Sequence, residues 1–197
     1  MTAVLLFARA PYVGGVKTRL ARDIGSARAL SVYRAMGRRV CDAVAKRYPL
    51  TVWYTPADAE AVMRDWLGSH RYRPQEGDDL GARLARAFEA HFAEAAGPVI
   101  AIGADTPSLN AEVITAAERA LGEHDVVLGP ALDGGYYLIG LRAPAPALFA
   151  DMPWGGREVM HVTVDRCRAA GLSLTTLAPR RDVDTAADLA AEGHVVP

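Results

Sequence analysis

Cysteine is scarce in this chain. Cys41 and Cys167 are its two cysteines, and they show no C-x-x-C spacing. That excludes a dithiol redox motif and a zinc knuckle, and it fits a reducing compartment in which both thiols are small buried hydrophobes. Long apolar runs are also missing. No stretch approaches the roughly 18 to 20 residues that a membrane-spanning helix needs. The apolar run Ala3 to Ala8 lacks a basic flank and is too short for a signal peptide, so a cytoplasmic protein without a membrane partner is expected. Excess charge of one sign is absent too. Lys and Arg number 22 against 23 Asp and Glu, a formal net charge of -1. This gives no electrostatic case for a nucleic-acid partner. Several catalytic signatures are missing: G-x-x-x-x-G-K-[ST], G-x-G-x-x-G, H-E-x-x-H and G-x-S-x-G. The five histidines, His194 included, show no ligand spacing.

What is present is an alternation of strand and helix signals over 197 residues, 51% of them hydrophobic. That length suits one α/β domain over residues 1–197. Ala3 to Ala8 and Val99 to Ile102 are continuous apolar runs, as in strands buried on both faces. Leu50 to Tyr54, Arg71 to Gln75, Asp125 to Leu128, Tyr136 to Leu141 and Leu172 to Leu177 supply further extended segments. Between them, Ser26 is expected to cap a helix over 27–47, and Pro56 with Asp58 to open another that stops at Gly68. Asp78 or Asp79 starts a helix through Phe92, Asn110 caps one running to Leu121, and 157–170 reads as helical. Thr185 and Asp188 form a capping box before Ala186 to Glu192. Alternating elements imply a mostly parallel sheet covered by helices on both faces. The close pair of strands around Asp133-Gly134-Gly135 leaves no room for a crossover helix, so one of them runs antiparallel and the sheet is mixed.

Chemistry-bearing residues gather at the ends of these strands. Arg9, Lys17, Arg19 and Arg22 concentrate positive charge in the first 22 residues. In ARAPYVGGVKTRL, Ala8, Gly14 and Gly15 let backbone N–H groups approach a phosphate, while Arg9, Lys17 and Arg19 neutralise it. Asp105 follows the central strand at once, and Pro107 ends that strand. Asp182 and Asp184 lie just outside the last helix. If Asp105 and Asp184 converge, their repulsion calls for a cation between them, and a hard ion such as Mg2+ is suited to carboxylate oxygens. Gln75, Gly77 and Asp79 sit between a strand and a helix, where they could read a base or ribose. Asp133, Gly134, Gly135 and Tyr136 are candidates for the acceptor.

Taken together, FARAPYVGGVKTRLA, QEGDDLGARLARAF, IGADTPSL, GPALDGGYYLIGL, MPWGG and DVDTAADL resemble an uncharacterised bacterial glycosyltransferase-A-like family of nucleotide-diphospho-sugar transferase type. The six motifs occur in order over nearly the whole chain. The K-T-R-L loop is also similar to that of 2-phospho-lactate guanylyltransferases and, more distantly, molybdenum-cofactor guanylyltransferases. The resemblance implies a three-layer, Rossmann-like domain with a mixed seven-stranded sheet, and Mg2+ or Mn2+ beside a nucleotide. It maps metal binding to Asp105 and Asp184, and phosphate binding to Arg9, Lys17 and Arg19. Glycosyltransferases of this fold usually carry D-x-D after the central strand. Here ADTP supplies one aspartate, as in the nucleotidyltransferases. The expected reaction is glycosyl transfer from a nucleotide sugar to a small acceptor, with Lys17, Arg19 and Asp105 as catalytic residues. Nucleotidyl transfer with pyrophosphate release and a non-catalytic nucleotide-binding domain stay open as alternatives. Oligomeric state, base, sugar and acceptor are not legible.

Overall fold

The apolar runs become the middle of a seven-stranded sheet. The computed structural model describes residues 2–192. Its strands are β1 (Ala3–Arg9), β2 (Leu50–Thr55), β3 (Arg71–Pro74), β4 (Val99–Gly103), β5 (Val126–Pro130), β6 (Tyr136–Leu141) and β7 (Leu174–Thr176), in spatial order β3-β2-β1-β4-β6-β5-β7. All neighbours pair in parallel except β6, which is antiparallel to both β4 and β5. The mixed sheet expected from the DGG turn is therefore present.

Residue alternation along β1 explains the three layers. Val4, Leu6 and Ala8 enter one apolar cluster, while Leu5 enters another on the opposite face with Phe7 packed against it. The first face is covered by α2 (Ser26–Ala45), α3 (Glu60–Leu67) and α5 (Ala111–Leu121), through Met36, Val40, Met63, Leu67 and Ile114. The second is covered by α4 (Leu80–Glu94) and α6 (Val159–Ala169), through Leu84, Phe88 and Cys167. Cys41 and Cys167 are both buried free thiols, as expected of small core hydrophobes.

Two helix starts differ from the sequence expectation. The basic loop ends early, because Thr18–Ile24 is itself a helix, α1, with Leu20 fully buried. Gly25 separates it from α2, so Gly25 and not Ser26 occupies the cap position. Helix α3 begins at Glu60, not at Pro56. The segment after β2 is a turn closed by Ala59 N–H to the Pro56 carbonyl at 3.1 Å. The Tyr54 hydroxyl, donating to the Ala57 carbonyl and the Glu60 carboxylate at 3.3 Å each, keeps residues 57–59 out of the helix. The other caps follow the sequence. Asn110 Oδ1 accepts from Glu112 and Val113 N–H, and Thr185 and Asp188 form a complete capping box on α7 (Ala186–Ala191).

Candidate active site

The chain places β2 and β3 on one side of β1, then crosses to place β4 on the other. Loops leaving β1 and β4 therefore diverge and open a crevice at their C-terminal ends, the usual ligand position in such sheets. A cleft of about 550 Å³ lies there. Its wall comes from the end of β1 (Phe7, Ala8, Arg9), the loop and start of α1 (Gly15 to Arg19), Tyr33, Thr55, Gln75, Leu80, Arg83, Ala104, Asp105 and Asp184.

One ion-pair cluster dominates its floor. The Lys17 Nζ donates to Asp105 Oδ2 at 2.8 Å and to Asp184 Oδ1 at 2.6 Å. The lysine side chain is only 5% exposed, against 37% and 42% for the two aspartates. Burial alone pushes the ammonium down, but the two carboxylates and their hydrogen bonds outweigh it and hold the pKa above the ordinary lysine value. The cation that the converging acids require is thus supplied by the chain itself. Arg19 Nη1 lies 3.9 Å from Asp184 Oδ2 on the solvent side.

Surrounding groups fix this cluster. The Val183 N–H donates to the Asp105 carbonyl at 3.1 Å, tying the two acidic segments together. The Tyr33 hydroxyl accepts from Arg9 N–H at 3.0 Å and donates to the Arg9 carbonyl at 2.9 Å, bracing the end of β1. Burial, then the nearby Asp105 charge, keeps that phenol neutral. Asp182, behind the cluster, accepts from the Thr106 hydroxyl. Burial first, and the Asp105 charge second, push its carboxyl up to about 7.

The sequence candidates divide. Ala8, Arg9, Gly15, Lys17, Arg19, Gln75, Asp105 and Asp184 share the cleft wall, whereas Gly14 is on the outer bend of the loop. The Gln75 side-chain amide donates to the Trp53 carbonyl at 2.8 Å, which pins it against the strand ends. Of the residues expected to read a base or ribose, Gly77 and Asp79 are not on the wall. Asp79 Oδ1 accepts from Ala82 N–H at 2.8 Å as the α4 cap, and the Gly77 carbonyl accepts from Arg83 Nε at 2.9 Å. Of the residues expected at the acceptor, Asp133, Gly134 and Gly135 form a tight turn. Asp133 Oδ1 accepts from Gly135 N–H at 3.0 Å, closing a tight turn. A Cβ on Gly134 would lie 2.5 Å from the Arg157 carbonyl oxygen, and the glycine's φ is +101°. This turn is packing against the segment before α6. Tyr136 does reach a cavity, a smaller one of about 200 Å³ that shares Phe7, Leu80 and Asp105 with the main cleft. Sequence reasoning missed Tyr33, which reads as a core residue in mid-helix, and Arg83, whose place one turn after Asp79 was available as a signal.

Metal fit rests on the two acids. Among the described residues, no group of three or more His, Cys, Asp and Glu side chains converges on a point. Asp105 and Asp184 nevertheless serve one cation jointly, as their shared hold on Lys17 shows. Two carboxylates, with the remaining positions left to water and phosphate, suit Mg2+ or Mn2+.

Residues 41–156 match the family described as "Uncharacterized protein conserved in bacteria (DUF2064)". The chain belongs to that family. Among solved structures, it is similar to a candidate nucleotide-diphospho-sugar transferase from Desulfovibrio desulfuricans G20, with a TM-score of 0.91 and 34% identity over 95% of this chain and 84% of that one. It is 29% identical over 132 residues to the phosphoenolpyruvate guanylyltransferase of Chloroflexus aggregans (strain MD-66 / DSM 9485), covering 66% of this chain and 65% of that enzyme. The match therefore spans just under two thirds of that relative's length. Glucosyl-3-phosphoglycerate synthase from Mycobacterium tuberculosis, solved with Mn2+ and UDP, shares the fold at a TM-score of 0.59 and 13% identity, over 97% of this chain and 75% of that one. The DUF2064 chain thus has the glycosyltransferase-A-like architecture of nucleotidyl- and glycosyltransferases. No helix among the described residues is long and apolar enough to cross a membrane.

Proposed function

We propose that this protein is a divalent-metal-dependent nucleotidyltransferase that moves a nucleoside monophosphate from a nucleoside triphosphate to a small phosphorylated acceptor. The observation that carries this reading is the Lys17 ammonium held between Asp105 and Asp184 at the mouth of β1 and β4, with Arg9 at the end of β1 and Arg19 at the start of α1 on the same wall. Three cations on one short segment suit a triphosphate, the most highly charged of the donors considered. The single aspartate after β4 and the guanylyltransferase relative support nucleotidyl transfer and favour a guanine nucleotide. This reverses the order in which the sequence resemblance ranked the two reactions.

In this mechanism Arg9, Lys17 and Arg19 hold the β- and γ-phosphates and take up the charge that develops on pyrophosphate. Asp105 and Asp184 would hold Mg2+ or Mn2+, which supplies charge neutralisation at phosphate oxygens. The acceptor enters from the Tyr136 cavity, which meets the donor cleft at Asp105. An acceptor phosphate oxygen attacks the α-phosphorus, the bond from that phosphorus to the β-bridging oxygen breaks, and pyrophosphate leaves. We place this activity in the cytoplasm, with the chain acting as one transferase domain.

Glycosyl transfer is the second reading, favoured by the similarity to the Desulfovibrio protein. A panel of nucleoside triphosphates and nucleotide sugars with Mg2+ or Mn2+ separates the two. Pyrophosphate release is expected. Release of a nucleoside diphosphate from a sugar donor instead would replace the first reading with the second, and nucleotide binding without turnover would leave a binding module.

A further inference from the structure

The Lys17 cluster contains two parts of different character. The acids are fixed without the lysine. Val183 N–H ties the Asp184 segment to the Asp105 carbonyl at 3.1 Å. The Asp188 carboxylate accepts from Asp184 and Thr185 N–H at 3.3 and 3.0 Å. The lysine, by contrast, stands on a backbone that disfavours it. Its φ of 48° and ψ of 46° are left-handed, a conformation that crowds a Cβ-bearing residue. Three residues earlier, Gly14 has a φ of +74° with open space around it. The ties on the acidic segments and the unfavourable backbone at Lys17 make the lysine the more displaceable partner of the cluster.

Lys17 and a divalent ion compete for the acid pair. Lys17 already takes one oxygen of each acid, Asp105 Oδ2 and Asp184 Oδ1, so a divalent ion drawn to the same pair would face the ammonium at short range, where two cations repel. A displaced ammonium needs another anion. Asp105 and Asp184 are the only acids on the described cleft wall. Asp182 lies off that wall and already accepts from the Thr106 hydroxyl, so the anion that best fits a displaced ammonium, in a cleft carrying Arg9 and Arg19, is a nucleotide's phosphate.

We propose that Lys17 is a built-in placeholder cation, filling the divalent-metal position until a nucleotide's phosphates draw its ammonium away, so that metal and nucleotide bind with positive coupling. This rests on the nucleotide-and-metal reading of the cleft given above. The free protein binds metal poorly because its metal-competent state is a minor one, and the phosphates enlarge that state.

The test measures binding and needs no turnover. Mn2+ is titrated by calorimetry into the wild type and Lys17→Met, with and without an α,β-methylene analogue of GTP, corrected for Mn2+ bound by the analogue itself. Without analogue, Lys17→Met should bind Mn2+ at least about tenfold more tightly than the wild type, within the usual range of coupling. Saturating analogue should tighten Mn2+ binding to the wild type by about tenfold and to the variant by less than about threefold. Equal or weaker Mn2+ binding by Lys17→Met overturns the placeholder. Where Lys17→Met fails to fold, Lys17→Gln and the wild-type coupling decide: coupling supports the proposal and its absence overturns it. Independent binding of Mn2+ and analogue to the wild type removes the placeholder and leaves the nucleotide-and-metal reading standing. No analogue binding to either protein, with or without Mn2+, removes both.

Discussion

The two ends of the sheet treat their carboxylates in opposite ways. At the N-terminal ends of the parallel strands, Glu118 on α5 is surrounded by donors. The Tyr48 hydroxyl reaches it at 3.1 Å, and hydrogen bonds from Thr2, then Tyr48, hold its carboxyl below the usual range. Asp125, just before β5, accepts from the Ser173 hydroxyl at 2.6 Å and pairs with Arg142 at 2.6 Å, and Ser173 likewise lowers it. At the C-terminal ends, Asp105 and Asp184 share one buried ammonium, and Asp182 behind them, bonded to the Thr106 hydroxyl, is raised instead by burial and then by the Asp105 charge. One end is satisfied and stabilises the fold. The other gathers acids and cations at the edge of an open cleft, an arrangement that costs stability and is found where ligands bind.

The sharpest way to break this contrast is Asp105→Ala. It should cut turnover by at least about 100-fold, the scale seen when one electrostatic contact to a transition state is lost. The thermal midpoint should stay within a few degrees. Full activity in this variant would remove the residue from the chemistry.

Asp182 gives the next effect. Its ordinary value is 3.8, and in the folded chain it is pushed up to about 7. Between those values the folded chain keeps a proton that the unfolded chain releases, so stability falls as pH rises. Asp182→Asn should flatten the decline in Tm from pH 5 to pH 8. Parallel curves for the two proteins would show that the acid end carries no such strain.

Glu118 should behave in the reverse sense. Its folded value lies below the ordinary 4.5, so its contribution is present above that pH and is lost as pH falls through the folded value. Glu118→Gln should lower Tm at pH 7 by about 2 to 4 °C and weaken the acid-side loss, consistent with one charged hydrogen bond in a chain of this length. The smallest effect is Thr185→Ala. Removing half of the α7 capping box should cost about 1 kcal/mol, read by denaturant midpoint. Because α7 anchors Asp184, nucleotide affinity should weaken with it.

Much of this arrangement is legible in the sequence, for physical reasons. Continuous apolar runs such as Val99 to Ile102 report burial on both faces, and the short DGG connection forces β6 to run antiparallel. Asn110 and Thr185 are legible because capping is local. Helix α1 was hidden because its charged residues masked the buried Leu20. Asp79 is ambiguous for the opposite reason: a local cap and a binding loop share one sequence pattern, and here the cap is formed. The convergence of Asp105 and Asp184 could be suspected from strand ends. That Lys17 would be the cation between them could not, since no local pattern reports a contact made across most of the chain.

Lys17 and Asp184 are 167 positions apart, and the hydrogen bond that aligns the acidic segments is made by Val183. Such a distant contact cannot form during synthesis until the chain has emerged past Asp184. The late arrival of this seam means that a chain cut short before Val183 can assemble much of its sheet while the floor of the Lys17 cleft stays unfinished.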